Sequence, residues 1–370
     1  MSKIRELMKN GILVCAPSSL YKNIGDYVQS VAQEQFLPKS DCYVEREALN
    51  SFHSDEKTNV IMNGWFMWHP ETFPPSDDIN PLFVSFHLVP SVAEAVLTPK
   101  SIEYLKKHQP IGARDLSTEK IMKDHGIDSY FSGCLTLTLG NTFKKQQNGG
   151  VIFVDPYYPI AGMKLTAKNP LGYLRSFWYL MKNFGKAVKL RKRFAVESRT
   201  IFRFISPSFE RLYSAANFYE FYKHSFSDEV LMNAEYITHN FKVSEYKDND
   251  EWMEAARKLV QKYADAKLVV TSRIHCGLPC LGVETPCIFV TSEVLTGNSL
   301  RSSGRFGGLQ ELFHVAKWTK KGLEGVTDDM KAVFDHGKLT DSTSVSVRTE
   351  YRAIKEKLNK TVTDFLSKNQ

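Results

Sequence analysis

The chain has 370 residues, 42% hydrophobic and 12% aromatic, with 48 Lys and Arg against 41 Asp and Glu. That composition excludes a disordered chain, and the length exceeds what one core comfortably serves, so two domains are expected. A mean hydropathy of −0.30, with no charge-free apolar run near the ~18–20 residues of a spanning helix, excludes a polytopic membrane protein.

Gly11–Pro17 reads as a first strand, and its apolar part is too short for an export signal, so a cytoplasmic location is expected. A helix is predicted over Ile24–Leu37, strands over Val60–Asn63 and Leu82–His87, and a helix over Thr98–His108. A strand at Pro110–Arg114, a helix at Ser117–His125 and a strand at Ser129–Ser132 follow. Such alternation predicts a parallel sheet covered on both faces. Thr142–Gly150 is polar and Gly-ended, and reads as a linker. A second alternation begins with a strand at Val151–Asp155. It continues through a helix end and strand at Ala234–His239, a helix at Asp250–Ala264 and a strand at Lys267–Thr271. A short helix at Cys276–Val283, a strand at Pro286–Val290 and helices near Asp328–His336 and Ser346–Leu366 complete it.

The predicted class is therefore α/β, with two Rossmann-like, doubly wound lobes facing a cleft. Residues 1–141 form the first lobe, 142–150 the linker and 151–340 the second lobe, with a basic helical segment inserted over 164–225 and a C-terminal helix over 341–370. Ligands bind where the carboxyl ends of such sheets face a cleft.

The net charge of +7 is not spread evenly: between Lys164 and Arg211 twelve Lys and Arg face only Glu197 and Glu210, leaving −3 for the rest. On a wheel of ~100° per residue, Lys182, Lys186, Lys189 and Arg193 fall close to Arg175. Tyr173, Phe177, Leu180, Met181, Phe184 and Val188 fall opposite, with Trp178 and Tyr179 at the boundary. Three readings fit: a surface helix packed on its lobe with a solvated cationic face; an interfacial helix on anionic lipid at the inner face of the plasma membrane; or a nucleic-acid contact, which no recognised motif supports. The six cysteines include no C-x-x-C pair and lie mostly in apolar runs, as in a reducing compartment. Cys276 and Cys280 beside His275 lack a second ligand cluster, so no metal site is expected.

Five stretches place polar residues at strand ends. Asn23-Ile24-Gly25-Asp26 opens a helix, where Gly25 permits close backbone approach and the free N–H groups suit an anion; capping by Asn23 and Asp26 is the plainer reading. Trp65 and Trp68, in Gly64-Trp65-Phe66-Met67-Trp68-His69-Pro70, can wall a sugar site or simply pack locally. His87 ends an apolar strand, as a functional group or a satisfied structural one. Arg114, in Gly112-Ala113-Arg114-Asp115, can grip phosphate or carboxylate, or pair with Asp115 or Asp26. The sharpest is Ser272-Arg273-Ile274-His275, where an apolar strand runs into a short helix. Arg273 and His275 beside helix N–H groups make an anion site with its own proton donor, and a bound phosphate raises a histidine pKa.

Ser272-Arg273-Ile274-His275 together with Asn23-Ile24-Gly25-Asp26 resembles the polysaccharide pyruvyl transferase family. Gly112-Ala113-Arg114-Asp115, followed by Tyr130-Phe131-Ser132-Gly133-Cys134-Leu135-Thr136, is similar to that family's first-lobe ending, and the likeness covers about 10–140 and 230–315. The resemblance implies a GT-B-like fold and transfer of pyruvate from phosphoenolpyruvate to two hydroxyls of a glycan or a lipid-linked precursor. A cyclic ketal forms and phosphate leaves, with no further cofactor. It implies His275 as proton donor to the methylene carbon and Asp26 as base for an acceptor hydroxyl. Arg273, Arg114, His87 and Ile274 would then lie on the donor side, and Asn23, Trp65 and Trp68 on the acceptor side. Ser18-Ser19-Leu20-Tyr21-Lys22 stands where the family often has a glycine pair, Ile274 replaces its leucine, and Cys276 follows the histidine where a small residue is common. A sugar-nucleotide glycosyltransferase and a non-enzymatic membrane-surface protein are the alternatives; fold alone does not separate them.

Overall fold

The computed structural model describes residues 8–17, 19–158, 170–195, 206–291, 307–319, 322–335 and 337–369. Lys164, Lys168, Glu197, Arg199 and Arg203 of the basic segment lie outside the described residues. The first part contains strands β1 (Lys9–Val14), β2 (Tyr21–Asn23), β3 (Cys42–Glu45), β4 (Thr58–Ile61), β5 (Gly64–Phe66), β6 (Ile79–Leu82), β7 (Phe86–Leu88), β8 (Ile111–Ala113) and β9 (Ser129–Phe131). The second contains β10 (Val151–Val154), β11 (Glu235–Ile237), β12 (Asn240–Lys242), β13 (Leu268–Thr271), β14 (Cys287–Thr291), β15 (His314–Thr319) and β16 (Gly322–Gly325). The first part holds helices α1 (Gly25–Glu34), α2 (Pro90–Val96), α3 (Pro99–Lys107) and α4 (Leu116–Asp124). The second holds α5 (Pro170–Lys182), α6 (Phe184–Leu190), α7 (Pro207–Tyr222), α8 (Asp228–Asn233), α9 (Asn249–Asp265), α10 (Ile274–Gly282), α11 (Asp328–Asp335) and α12 (Arg352–Lys368).

The class is mixed α/β with parallel sheets, as predicted. The first part, however, carries two four-stranded sheets, β3-β1-β4-β6 and β5-β7-β8-β9. The predicted strand Leu82–His87 is broken: Ser85 has φ 57 and the chain turns there. Gly64, at φ 124 between β4 and β5, makes the matching corner, and its N–H donates to the Ser85 carbonyl. A positive φ is natural for glycine and costly for a residue with Cβ. The second part holds the sheet β11-β10-β13-β14-β15-β16, parallel except for the β15–β16 pair. β2 and β12 pair antiparallel, tying the first part to the second.

Both main sheets have a switch point, where successive crossovers leave a strand in opposite directions. One lies between β1 and β4, the other between β10 and β13. Crevices at the carboxyl ends of such strands are where open α/β sheets bind ligands.

The largest apolar cluster is common to both parts. It joins Val14, Tyr27 and Val31 with Leu135 and Leu137, then with Trp252, Val260 and Leu281, and finally with Leu358 and Val362 of α12. The C-terminal helix, read from sequence as closing the second part, packs on the 3-10 segment Leu135–Asn141 of the first. Residues 142–150 are irregular, as a linker should be, and are docked: the Gln146 and Gln147 N–H groups donate to Asp265.

The basic segment covers one face of the second sheet rather than standing apart from it. Phe153 of β10, Val270 of β13 and Ile288 of β14 pack with Leu180, Ala187, Tyr213, Phe218 and Tyr222. The cationic row is not a simply solvated face: Lys182 pairs with Glu220 at 3.0 Å and Lys186 pairs with Asp228. The side turned inward carries Ser176, Leu180, Asn183, Ala187 and Leu190.

The two parts are held by this apolar contact more than by charge. Trp252 of α9 is buried and stacks on Tyr27 of α1 at 5.3 Å. Nearby, Arg257 grips Glu34 through two 2.9 Å bonds, each side chain about one-third exposed. Trp252→Ala should cost about 3–5 kcal/mol, whereas Arg257→Ala should cost under about 1 kcal/mol. Chemical denaturation of both variants checks the ranking.

Candidate functional site

The residues singled out in the sequence gather around the start of α1. At the β10–β13 switch point the chain leaves β13 through Ser272 and Arg273 and enters α10 at once. The Thr271 hydroxyl donates to the Val154 carbonyl and accepts the Arg273 N–H, pinning this turn to β10. The Ser272 hydroxyl accepts the Tyr157 N–H at 2.7 Å and donates to Val290 on the neighbouring strand. Arg273 is the residue before the helix, with extended backbone, and its carbonyl closes the first turn.

Its guanidinium reaches across the switch point, Nε donating to Asp155 Oδ2 at 3.0 Å. Asp155 also accepts the His239 N–H at 2.8 Å and the Thr238 hydroxyl at 3.3 Å. It follows directly on β10 and has φ 40. The sequence reading recorded Asp155 only as a strand end; the signal that marked Arg273, a charged residue at the end of an apolar strand, applies to it equally.

Ile274 is the first residue of α10. Its side chain is buried in the shared core, so what it offers an anion is the backbone amide at the helix start. His275, one residue on, is half-buried and abuts α1. A Cβ placed on Gly25 would stand 2.9 Å from His275 Cβ and 3.3 Å from its Nδ1. Position 25 therefore admits only glycine without displacement. Two helix N-termini meet here, and their partial positive charges add.

Asn23 holds this junction. Its Oδ1 accepts the Gly25 N–H at 3.0 Å, and its backbone pairs with Asn240 in the β2–β12 ribbon. Ile24 N–H donates to the carbonyl of His239, the same residue whose own N–H holds Asp155. The Asn23 side chain thus braces the start of α1.

Asp26 sits between Lys22 at 3.0 Å and Arg46 at 3.7 Å. Burial alone would raise its pKa. Lys22 and Arg46, with a smaller contribution from His275, outweigh burial and hold the carboxyl below its ordinary value. For Lys22, burial would lower the pKa, but Asp26 and the Cys15 thiol raise it above the ordinary lysine value. Lys22 and Arg46 were not identified from sequence. Arg46 follows β3, an unpredicted strand, and only the fold carries it to Asp26.

Arg46 continues the site toward the tryptophans, its guanidinium 5.4 Å from the Trp65 ring centroid. Trp65 and Trp68 meet edge to face at 4.6 Å. Glu47 fixes their loop by accepting the Trp68 and His69 N–H groups, while its other oxygen holds Arg46 Nε at 2.9 Å. Trp68 is open to solvent and Trp65 half-buried. An exposed aromatic corner beside a cation suits a sugar ring.

Trp65 pairs in register with His87 on the adjoining strand. His87 Nδ1 contacts Asp115 at 2.6 Å, and Arg114 Nε lies 3.5 Å from the same carboxylate. Burial would raise the Asp115 pKa, but His87 and then Arg114 outweigh it and hold it low. His87 and Arg114 are only 2% and 1% exposed. Both face Asp115, and His87 stands beside Trp65 in the strand register. Among the described residues no group of three or more His, Cys, Asp or Glu is placed to hold a metal ion.

The Asp26 pairing has a pH signature. A carboxyl whose folded pKa lies below its unfolded value stabilises the fold above that unfolded value, near 3.8, and loses this as pH falls through the folded pKa. Asp26→Asn leaves Lys22 and Arg46 without their carboxylate and should cost about 3 kcal/mol near neutrality. The gap between wild type and variant should close as pH falls below 3.8; urea denaturation across pH measures it.

No curated protein matches the chain. The family model described as Polysaccharide pyruvyl transferase matches residues 23–293. That span runs from Asn23 at the head of α1 to just beyond β14, taking in Gly25, Asp26, Trp65, His87, Arg114, Asp155, Arg273 and His275. With well over half its length matched, the chain belongs to the polysaccharide pyruvyl transferase family.

Proposed function

We propose that this transferase moves pyruvate from phosphoenolpyruvate onto two hydroxyls of a sugar in a surface or capsular polysaccharide, or its lipid-linked precursor. A cyclic ketal forms and phosphate is released. The observation that carries the reading is the junction at Gly25, where His275, Arg273 and two helix N-termini converge beside Asp26. We read the two main sheets as the lobes of a GT-B-like architecture, with the first on the acceptor side and the second on the donor side.

Phosphoenolpyruvate carries about two to three negative charges, which helix N–H groups and a planar guanidinium can meet. Arg273 binds the donor, with Asp155 orienting its fork. His275 gives a proton to the methylene carbon, and the cation forming at the adjacent carbon is held beside the substrate carboxylate. One sugar hydroxyl attacks that carbon to give a phosphorylated hemiketal. Its proton passes to Asp26, which is a carboxylate at neutral pH. The depressed pKa makes Asp26 a weak base, so this transfer comes late, after the new C–O bond has acidified the hydroxyl. A neighbouring hydroxyl then displaces phosphate and closes the ring. Of the two hydroxyl protons lost, one balances that on the methyl group and the other leaves with phosphate. Trp65 and Trp68 wall the acceptor. His87 and Arg114, buried on Asp115, hold that wall and the charge behind it.

Mass spectrometry of candidate glycans incubated with phosphoenolpyruvate should show a pyruvate-sized gain and equimolar phosphate. In that assay His275→Ala should lose about 10²–10⁴-fold in rate; full activity would overturn the assignment. Gly25→Ala should fold, by circular dichroism, yet lose about 100-fold because His275 is displaced. Arg273→Lys should weaken donor affinity, since the planar fork is gone. Phosphoenolpyruvate should raise the melting temperature by mass action; stabilisation by a nucleotide sugar instead would favour a glycosyltransferase.

A further inference from the structure

The helices that cover the second sheet turn an apolar stripe outward. Leu171, Leu174, Trp178 and Met181 of α5 are 65–75% exposed among the described residues, and Phe184 of α6 continues the stripe. On a wheel of ~100° per residue the first four span about 80° and lie opposite the inward row of Ser176, Leu180 and Asn183. The inward side is polar or small at several positions and is locked by bonds: Asn183 Nδ2 donates to Glu220 at 2.8 Å, and Lys182 pairs with the same carboxylate. A helix that buries serine and asparagine while presenting Leu, Trp and Met to water is oriented for a partner outside this chain.

Charge identifies the partner. From residue 156 to residue 196 the sequence has nine Lys and Arg and no Asp or Glu. Arg175 and Lys189 are exposed along one margin of the stripe, and Arg191, Lys192 and Arg193 are exposed just beyond its end. Two copies meeting on this face would bring like charges together. A negative surface with an apolar interior complements it in both respects. α5 has 13 residues, about 20 Å of helix. Among the described residues no helix is long and apolar enough to cross a membrane. The helix therefore lies along the surface, with Trp178 at headgroup depth.

We propose that α5 and α6 dock the protein on an anionic lipid bilayer, the stripe Leu171–Leu174–Trp178–Met181 entering the headgroup boundary and Arg191–Lys192–Arg193 contacting the lipid phosphates. The proposal stands apart from the reaction described above, and its test requires no turnover.

The full chain is sedimented with vesicles of phosphatidylcholine alone and of phosphatidylcholine with phosphatidylglycerol, at low and high salt. Binding is expected to the anionic vesicles, weaker at high salt. Leu174→Glu/Trp178→Glu should abolish it without lowering the melting temperature, because neither side chain packs inward. Arg191→Glu/Lys192→Glu/Arg193→Glu should weaken it by about tenfold or more. The Lys182 and Lys186 side chains are unsuited to this test, being tied to Glu220 and Asp228. Failure of the wild type to sediment with anionic vesicles, or equal binding by the Leu174/Trp178 variant, overturns the proposal. So does a concentration-dependent dimer, seen by ultracentrifugation without vesicle binding and lost in that variant, which would make the stripe a self-association face.

Discussion

The N-terminus of α1 meets that of α10 with no side chain at position 25 to separate them. Each helix start carries unsatisfied N–H groups and a partial positive charge. Lys22, Arg46, Arg273 and His275 add formal or potential charge in the same place. So much positive potential would disfavour its own folding if nothing opposed it. Asp26 and Asp155 oppose it from the two switch points, one between Lys22 and Arg46, the other against Arg273. Asp26 is engaged by Lys22 and Arg46, and Asp155 by Arg273 and the His239 N–H.

That junction exists only because the two halves of the chain share a core. α1 is fixed against α9 through Tyr27 and Trp252, and α10 is fixed against Leu135–Asn141, on which α12 also rests. The β2–β12 ribbon then sets the height of Asn23 relative to His239 and Asp155. Position at the site is thus delivered by buried apolar area, and the polar groups only refine it. A surface ion pair such as Arg257–Glu34 is too solvated to carry such a load.

The charge of the chain is unevenly divided. The residues outside 164–211 sum to −3, so in the proposed function the donor is met by a few oriented groups rather than by bulk charge. The excess lies in segment 164–211; on α5 and α6, Lys182 and Lys186 pair with Glu220 and Asp228, while Arg175 and Lys189 are exposed. The proposed donor site, for a small and highly charged molecule, and the proposed docking surface, for a broad and diffuse charge, call for different densities of positive charge.

The sequence by itself determined the alternation of strands and helices, the placement of Arg114 and Arg273 just beyond apolar strands, and the concentration of positive charge in one segment. These are local properties: apolar runs ending abruptly in charged residues, and periodicity within one element. Tertiary structure decided the rest. His87, read as a strand end, lies in the middle of β7. Leu82–His87 reads as one apolar strand, and only the left-handed turn at Ser85 opposite Gly64 shows that it is two. Asp26 reads as a cap or a base; its depressed pKa comes first from Lys22, four residues away, and then from Arg46, which only the fold brings to it. Ile274 reads as part of a binding motif, yet the core claims its side chain. The periodicity of α5 resolves basic and apolar arcs but not which arc is buried. Asn183, just after α5, bonds to Glu220; Ser176 and Leu180 turn inward, and Leu171, Leu174, Trp178 and Met181 turn outward. Contacts such as Asn183–Glu220, Gly64–Ser85 and Arg46–Asp26 join residues far apart in sequence, and such pairings leave no periodic trace in either segment.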